Sequence, residues 1–221
     1  MGLKGQGRVM LVTGASGFLG RHVVHRAISA GWNVVAPSSR SMDITDRPAT
    51  MTAITESKPD VVVHLAYRKD DRRVIVDGTR HVAEAADAAR CRFVHVSTDV
   101  VFAGRTRAYV ESDEPDPIIE YGRHKADAEL AAACAADTAI IRTSLLYGTD
   151  FPSPFQIELA QGLRAGASPM TFFSDEVRCP VHAADVAAAI VRIAAGRSIQ
   201  PSTYNWGASR LLARALAPSR P

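Results

Sequence analysis

The stretch that most constrains this chain is Arg8 to Gly20, RVMLVTGASGFLG. Val9 to Val12 is a continuous apolar run, the pattern of a strand covered on both faces of a sheet. It empties directly into a turn carrying Gly14, Gly17 and Gly20 at three-residue spacing. Leu19, Val23, Ala27 and Ile28 are expected to share the buried face of the helix that follows. Strand, glycine turn and helix start together make a cradle for a diphosphate. Backbone N–H groups and the positive end of a helix reach an anion closely only where side chains are absent. Gly14 lets the chain turn, Gly17 lets the backbone approach a ligand, and Gly20 lets the helix sit tightly on the sheet. The spacing is one residue longer than the commonest dinucleotide fingerprint, so the motif is a variant of it.

Further apolar runs predict strands at Trp32–Ala36, Val61–Ala66, Arg92–Val96 and Ala139–Thr143, with helical patterns between them. Strand and helix alternating at this interval mean a doubly wound, Rossmann-type α/β fold built on a parallel sheet. Asp46 reads as an N-cap two residues before Pro48, opening a helix. Residues 75–89 suit a helix with Gly78 as its weak point, and Tyr121 to Ala133 another. After Gly148 the composition changes. A helix is expected over 155–165, a short strand around 170–173, a helix begun near Asp185, a last strand at Tyr204–Trp206 and a terminal helix over 210–217. The expected organisation is a dinucleotide-binding domain over 1–148 and a short substrate-side lobe over 149–221, interleaved with the same domain.

The net charge of the 221 residues is +3, with the basic residues scattered, which argues against a nucleic-acid surface. Arg210, Arg214 and Arg220 read as a solvated face. Cys91, Cys134 and Cys179 match no metal spacing and leave one cysteine over in any disulfide scheme, so no metal is expected and a reducing compartment is. No apolar run approaches the roughly 20 residues that span a bilayer, and no signal-like apolar core precedes the first strand. A cytoplasmic protein without membrane partners is the expectation.

Two further segments carry chemistry. The end of the second strand in a dinucleotide site faces the adenosine ribose, and here it reads Pro37-Ser38-Ser39-Arg40, with an arginine and no carboxylate. That favours NADP over NAD, because a 2′-phosphate gains charge-assisted hydrogen bonds beside serines and an arginine. The strand at 92–96 ends in Ser97, Thr98 and Asp99, at the carboxyl edge where ligands bind in open α/β sheets. A long loop follows, and then Tyr121-Gly-Arg-His-Lys125 opens a helix. Positions i and i+4 share a helix face. A lysine charge about 4 Å from a phenol, at an effective dielectric of about 20, is worth roughly 4 kcal/mol, or about three pKa units toward phenolate. Tyr121 is therefore expected to be tuned by Lys125 toward acid–base work. Arg178 is a candidate anion contact.

The segments TGASGFLG at 13–20, VSTDVVFAG at 96–104, YVESDEP at 109–115, YGRHK at 121–125, RTSLLYG at 142–148 and RCPVHAADVA at 178–187 resemble, in this order, the extended short-chain dehydrogenase/reductases, and among them the dTDP-4-dehydrorhamnose reductases. The resemblance implies a carbonyl reductase acting on a nucleotide-linked sugar, with NADP preferred and NAD an alternative. It implies Thr98, Tyr121 and Lys125 as the catalytic set. Gly14, Ser16, Gly17, Phe18, Leu19 and Gly20 would serve the diphosphate, Arg40, Asp43 and Ile44 the adenosine side, and Leu65, Ala66 and Tyr67 the nicotinamide side, joined by Tyr121 and Lys125. Thr98, Asp99 and Arg178 would meet the substrate, and a homodimer is the implied assembly. Asp99 is followed by Val100 rather than by the glutamate of the related dehydratases. Ile75 stands where the family carries an asparagine. The resemblance extends to non-catalytic relatives such as the regulatory subunit of methionine adenosyltransferase, and to epimerases, which leaves a cofactor-binding scaffold and an epimerase or dehydratase as alternatives.

Overall fold

A computed structural model describes residues 7–105, 107–164, 170–172, 178–196 and 202–206. In chain order the elements are β1 (Val9–Thr13), α1 (Phe18–Ser29), β2 (Asn33–Val35), α2 (Arg47–Ser57), β3 (Val61–His64), α3 (Gly78–Ala88), β4 (Arg92–Thr98) and α4 (Glu120–Ala132). They are followed by β5 (Thr138–Thr143), β6 (Leu146–Tyr147), α5 (Pro154–Gly162), β7 (Val181–His182), α6 (Ala183–Ala195) and β8 (Ser202–Trp206). Six strands form one sheet in the order β2-β1-β3-β4-β5-β8, every pair parallel. β6 and β7 make a separate parallel pair.

The continuous apolar runs are explained by cover on both faces. Met10, Val12, Val61, Val63, Val94 and Ile141 point to one side, where Val23 and Ala27 of α1 and Val186 and Ile190 of α6 close over them. Leu11, Val62 and Phe93 point to the other, against Ile54 of α2, Val82 and Ala86 of α3, and Ala132 of α4. Alternate residues of one strand thus feed two cores. The segment after Gly148 returns to this body twice, as α6 against α1 and as β8 on the outer edge of β5.

Local signals act where they stand. The Asp46 side chain accepts from the Ala49 N–H and Pro48 occupies the first turn of α2. Ser153 and Gln156 form a capping box at the start of α5, again with a proline in the first turn.

Three expectations change. Ile28 is 59% exposed, because one residue beyond Ala27 the helix has turned about 100° away from the core line of Leu19, Val23 and Ala27. The helix expected from Ile75 begins instead as a π-helical turn over Arg73–Asp77 and continues as α3. Gly78 sits at that junction packed under Ile44, whose side chain a Cβ there would meet at 2.7 Å. Residues 170–172 form no strand. Phe173, the terminal helix over 210–217 and Arg210, Arg214 and Arg220 lie outside the described residues. Cys91, buried, and Cys134, exposed, are free thiols. Among the described residues no helix is long and apolar enough to cross a membrane.

Candidate active site

The strand order reverses between β1 and β3, the place where an open α/β sheet leaves a crevice beyond its carboxyl edge. β1 ends there in the glycine turn. Gly14 has φ +68°, and a Cβ on it would lie 2.7 Å from the Ala66 nitrogen, so only glycine brings β1 this close to the chain leaving β3. A Cβ on Gly20 would lie 2.2 Å from the Gly14 carbonyl, which explains how α1 starts directly over the turn. Gly17 caps α1, and its N–H donates to the Gly14 carbonyl.

Thr13 and His64 lock the two strand ends together. The Leu65 and Ala66 N–H groups donate to Thr13 Oγ1, and that hydroxyl lies 2.7 Å from His64 Nδ1. On the other side of the ring, Nε2 lies 3.1 Å from Thr79 Oγ1, which donates to the Ile75 carbonyl at 2.6 Å. With both hydroxyl protons assigned by these partners, His64 is neutral and carries its proton on Nε2. Burial holds its pKa down at about 3, the nearby Lys125 charge adding to the effect. Neither residue stood out in the sequence. The signal available was a polar residue ending an otherwise apolar parallel strand.

Above these ends lies a cleft of about 310 Å³. Gly14, Gly17, Phe18, Leu19 and Gly20 of the glycine turn line it together with Leu65, Ala66 and Tyr67 after β3 and with Thr98, Tyr121, Lys125 and Arg178. Ser97, which the sequence placed at the ligand-binding edge of β4, also faces it, as do Ser144, Leu146 and Phe155, which the sequence did not single out. Thr98 lies at the end of β4, where its hydroxyl accepts from the Val100 N–H and donates to Asp99 Oδ1. α4 carries Tyr121 and Lys125 in its first two turns. Helical spacing and sheet topology together bring the three residues to one cavity.

The electrostatics differ from the sequence expectation. The pKa of Tyr121 is raised, by burial first and then by Tyr67 and Asp99, with Arg178 opposing. Lys125 does not direct its charge at the phenol here. Its Nζ donates to the Val96 carbonyl at 2.8 Å and lies 3.4 Å from His95 Nε2. Burial pulls the Lys125 pKa from 10.5 to about 8, Glu129 one turn on pushing it back up. Tyr121 is thus a protonated phenol, the form a proton donor needs.

Five expected contacts lie away from the cleft walls. Asp99 is 2% exposed, and its carboxylate takes Arg178 Nε and Nη2 at 3.1 and 2.8 Å and the Ser144 hydroxyl at 2.6 Å. A carboxylate so buried requires a counter-charge. Asp99 is therefore a strut tying β4 to the chain entering β7 rather than a substrate contact, and Arg178 reaches the cleft already ion-paired. Ser16 is exposed beside the turn, its carbonyl accepting from Arg21 Nε. Arg40 is exposed in a turn closed by Ser38 and Ser41 hydrogen bonds. Asp43 accepts from the Thr45 N–H and hydroxyl, which lowers its pKa and marks a local turn. Ile44 is 7% exposed, in the core with Val82. Among the described residues no group of three His, Cys, Asp or Glu side chains is placed to hold a metal ion.

Residues 8–214 match the family described as RmlD substrate binding domain. The chain belongs to that family. It is 31% identical over 212 residues to a dTDP-4-dehydrorhamnose reductase of Mycobacterium tuberculosis, covering 87% of this chain and 67% of that one. It is 28% identical over 243 residues to methionine adenosyltransferase 2 subunit beta of Pongo abelii, covering 94% and 69%. The crystal structure of dTDP-4-dehydrorhamnose reductase from Bacillus anthracis in complex with NADP shares the fold, with a TM-score of 0.79 at 23% identity over 91% of this chain and 74% of that one.

Proposed function

We propose that this member of the RmlD family is an NADPH-dependent reductase of a keto group on a nucleotide-linked sugar, of the kind after which the dTDP-4-dehydrorhamnose reductases are named. The observation that carries the reading is the convergence of the glycine turn of β1 and the Thr98, Tyr121 and Lys125 side chains on a single cleft at the switch point of the sheet.

The residues present suit a dinucleotide. Where a side chain at position 14 or 20 would collide with backbone there is none, and the turn opens onto the N-terminus of a 12-residue helix, whose dipole favours a diphosphate. Gly14, Gly17, Phe18, Leu19 and Gly20 would hold the diphosphate, Leu65, Ala66 and Tyr67 the nicotinamide side. Arg40, exposed after β2, supports NADP over NAD, with Ser16, Asp43 and Ile44 shaping the segments around it through backbone and packing. When bound, NADPH supplies the hydride. Tyr121 donates the proton to the carbonyl oxygen, Thr98 turns its hydroxyl from Asp99 to hydrogen-bond that oxygen as charge develops on it, and Lys125 would hold the nicotinamide ribose. Residues 1–148 form the cofactor side of this assignment and 149–221 the substrate side, with Arg178 and Phe155 facing the sugar nucleotide.

Turnover is read from NADPH absorbance with a dTDP-4-keto sugar and a panel of related ketones, and cofactor binding from NADPH fluorescence. Activity that falls about 100-fold or more in Tyr121→Phe, with NADPH binding retained, supports the proposal. Binding without turnover on any ketone would favour a cofactor-binding scaffold, the reading that likeness to the methionine adenosyltransferase subunit suggests. Tightly held NAD with no net cofactor consumption would favour an epimerase.

A further inference from the structure

Lys125 is held by two successive residues of β4. Its ammonium donates to the Val96 carbonyl, and the neighbouring His95 presents Nε2 to it at 3.4 Å. His95 is 1% exposed and its ring lies nearly parallel to His64, at 5.5 Å and 26°, and to Phe93, at 6.3 Å and 25°. Those rings fix its orientation. An ammonium has donors only, so Nε2 must accept and the imidazole proton must sit on Nδ1. Nδ1 is buried and has no hydrogen-bond partner. A buried donor left unpaired is costly, and the arrangement is retained with the acceptor nitrogen committed to Lys125.

We propose that His95 is the positioning residue for Lys125: as a neutral Nδ1–H imidazole it accepts from the ammonium and fixes the side chain against β4, on the floor of the cleft. His95 meets no substrate in this assignment and acts only through the lysine. The other charged and titratable groups around the site are already engaged or solvated. Glu129 of α4 is paired with Arg142 of β5, His64 of β3 is held between two threonines, and Asp99 is paired with Arg178. On the π-helical turn and α3, Arg72 and Asp77 are half-exposed, Glu84 is paired with Arg47, His81 is bonded to the Ile44 carbonyl, and Arg80 and Asp87 face water. His95 is thus the one imidazole of the described residues with a nitrogen on Lys125.

The importance of His95 for turnover rests on the reductase reading, whereas its bond to Lys125 does not, and the experiment separates the two. ¹⁵N NMR of the parent protein reports the His95 tautomer and the titration of Lys125 Nζ. The expected spectrum shows an unprotonated Nε2 and a protonated Nδ1 throughout the neutral range. A protonated Nε2 would overturn the proposal without any variant. In His95→Phe the Lys125 midpoint is expected to fall by about one pH unit, the size set by losing one acceptor to a charged donor. His95→Gln, which keeps an acceptor, is expected to restore most of that shift and to move the pH–rate profile with it. A folded His95→Phe whose Lys125 midpoint is unchanged would equally overturn the inference. Correct tautomer and shifts in a protein that reduces no ketone would leave the lysine contact standing and remove the reductase reading alone.

Discussion

Removing Glu129 tests how the catalytic helix is fastened to the sheet. Arg142 of β5 donates from Nε to both carboxylate oxygens, at 3.0 and 3.2 Å, and from Nη2 at 2.7 Å. The two side chains are only 5% and 6% exposed. Glu129→Ala would leave the guanidinium with the Asp113 carbonyl at 3.4 Å and the Phe102 ring at 4.9 Å, and no counter-charge. Breaking one side of a buried pair costs about 3–5 kcal/mol. For a domain of this size each kcal/mol is worth about 2–4 °C in melting temperature, so the drop is expected to fall between roughly 6 and 20 °C. Urea unfolding monitored by two probes measures the free energy and checks two-state behaviour. Arg142→Leu should cost a comparable amount, and Glu129→Leu combined with Arg142→Leu much less than the sum, since no unpaired charge remains. Losses below about 1 kcal/mol, or single losses that simply add, would refute the account, because they would mean that water reaches the pair in the folded protein.

Lys125→Met should stabilise the fold at pH 7. Below about 8 the ammonium is present in both folded and unfolded chains, so its burial penalty acts in full. Between about 8 and 10.5 the unfolded chain binds more protons, stability rises with pH, and the advantage of methionine, on the order of 3 kcal/mol at most, should disappear, as thermal melts across pH would show. In Gly122→Ala the new Cβ would lie 2.3 Å from the Val100 carbonyl, so α4 must shift; a loss of about 1–3 kcal/mol and a fall in turnover larger than the fall in NADPH affinity are expected. Arg40→Ala is expected to weaken NADPH binding about tenfold or more, read by titration, while leaving NADH binding nearly unchanged.

Much of the fold was legible because its signals are local. Asp46 before Pro48, Gly14 between an apolar strand and a helix, and apolar runs covered on both sides each follow from the preferences of a few adjacent residues. The helical spacing of Tyr121 and Lys125 belongs to the same class. The site was legible only as far as such spacing reaches. That Thr98 and Tyr121 meet the glycine turn required the order of the strands, and the polar ends of β3 and β5 that complete the cleft carried no signal beyond a polar residue in an apolar run.

What the sequence by itself determined is the doubly wound architecture and the glycine turn at its centre, because backbone conformation and apolar periodicity are written in neighbouring residues. Tertiary structure alone decided the ionic partners. Asp99 meets Arg178 across 79 positions, Glu129 meets Arg142, and Lys125 turns to His95 and Val96 rather than to Tyr121. The physical reason is that charge pairing and pKa depend on burial and on which groups packing brings within a few ångströms, and those neighbours come from distant parts of the chain. The phenol of Tyr121, expected from spacing to be drawn toward phenolate, is held protonated by the burial that only the folded cleft supplies.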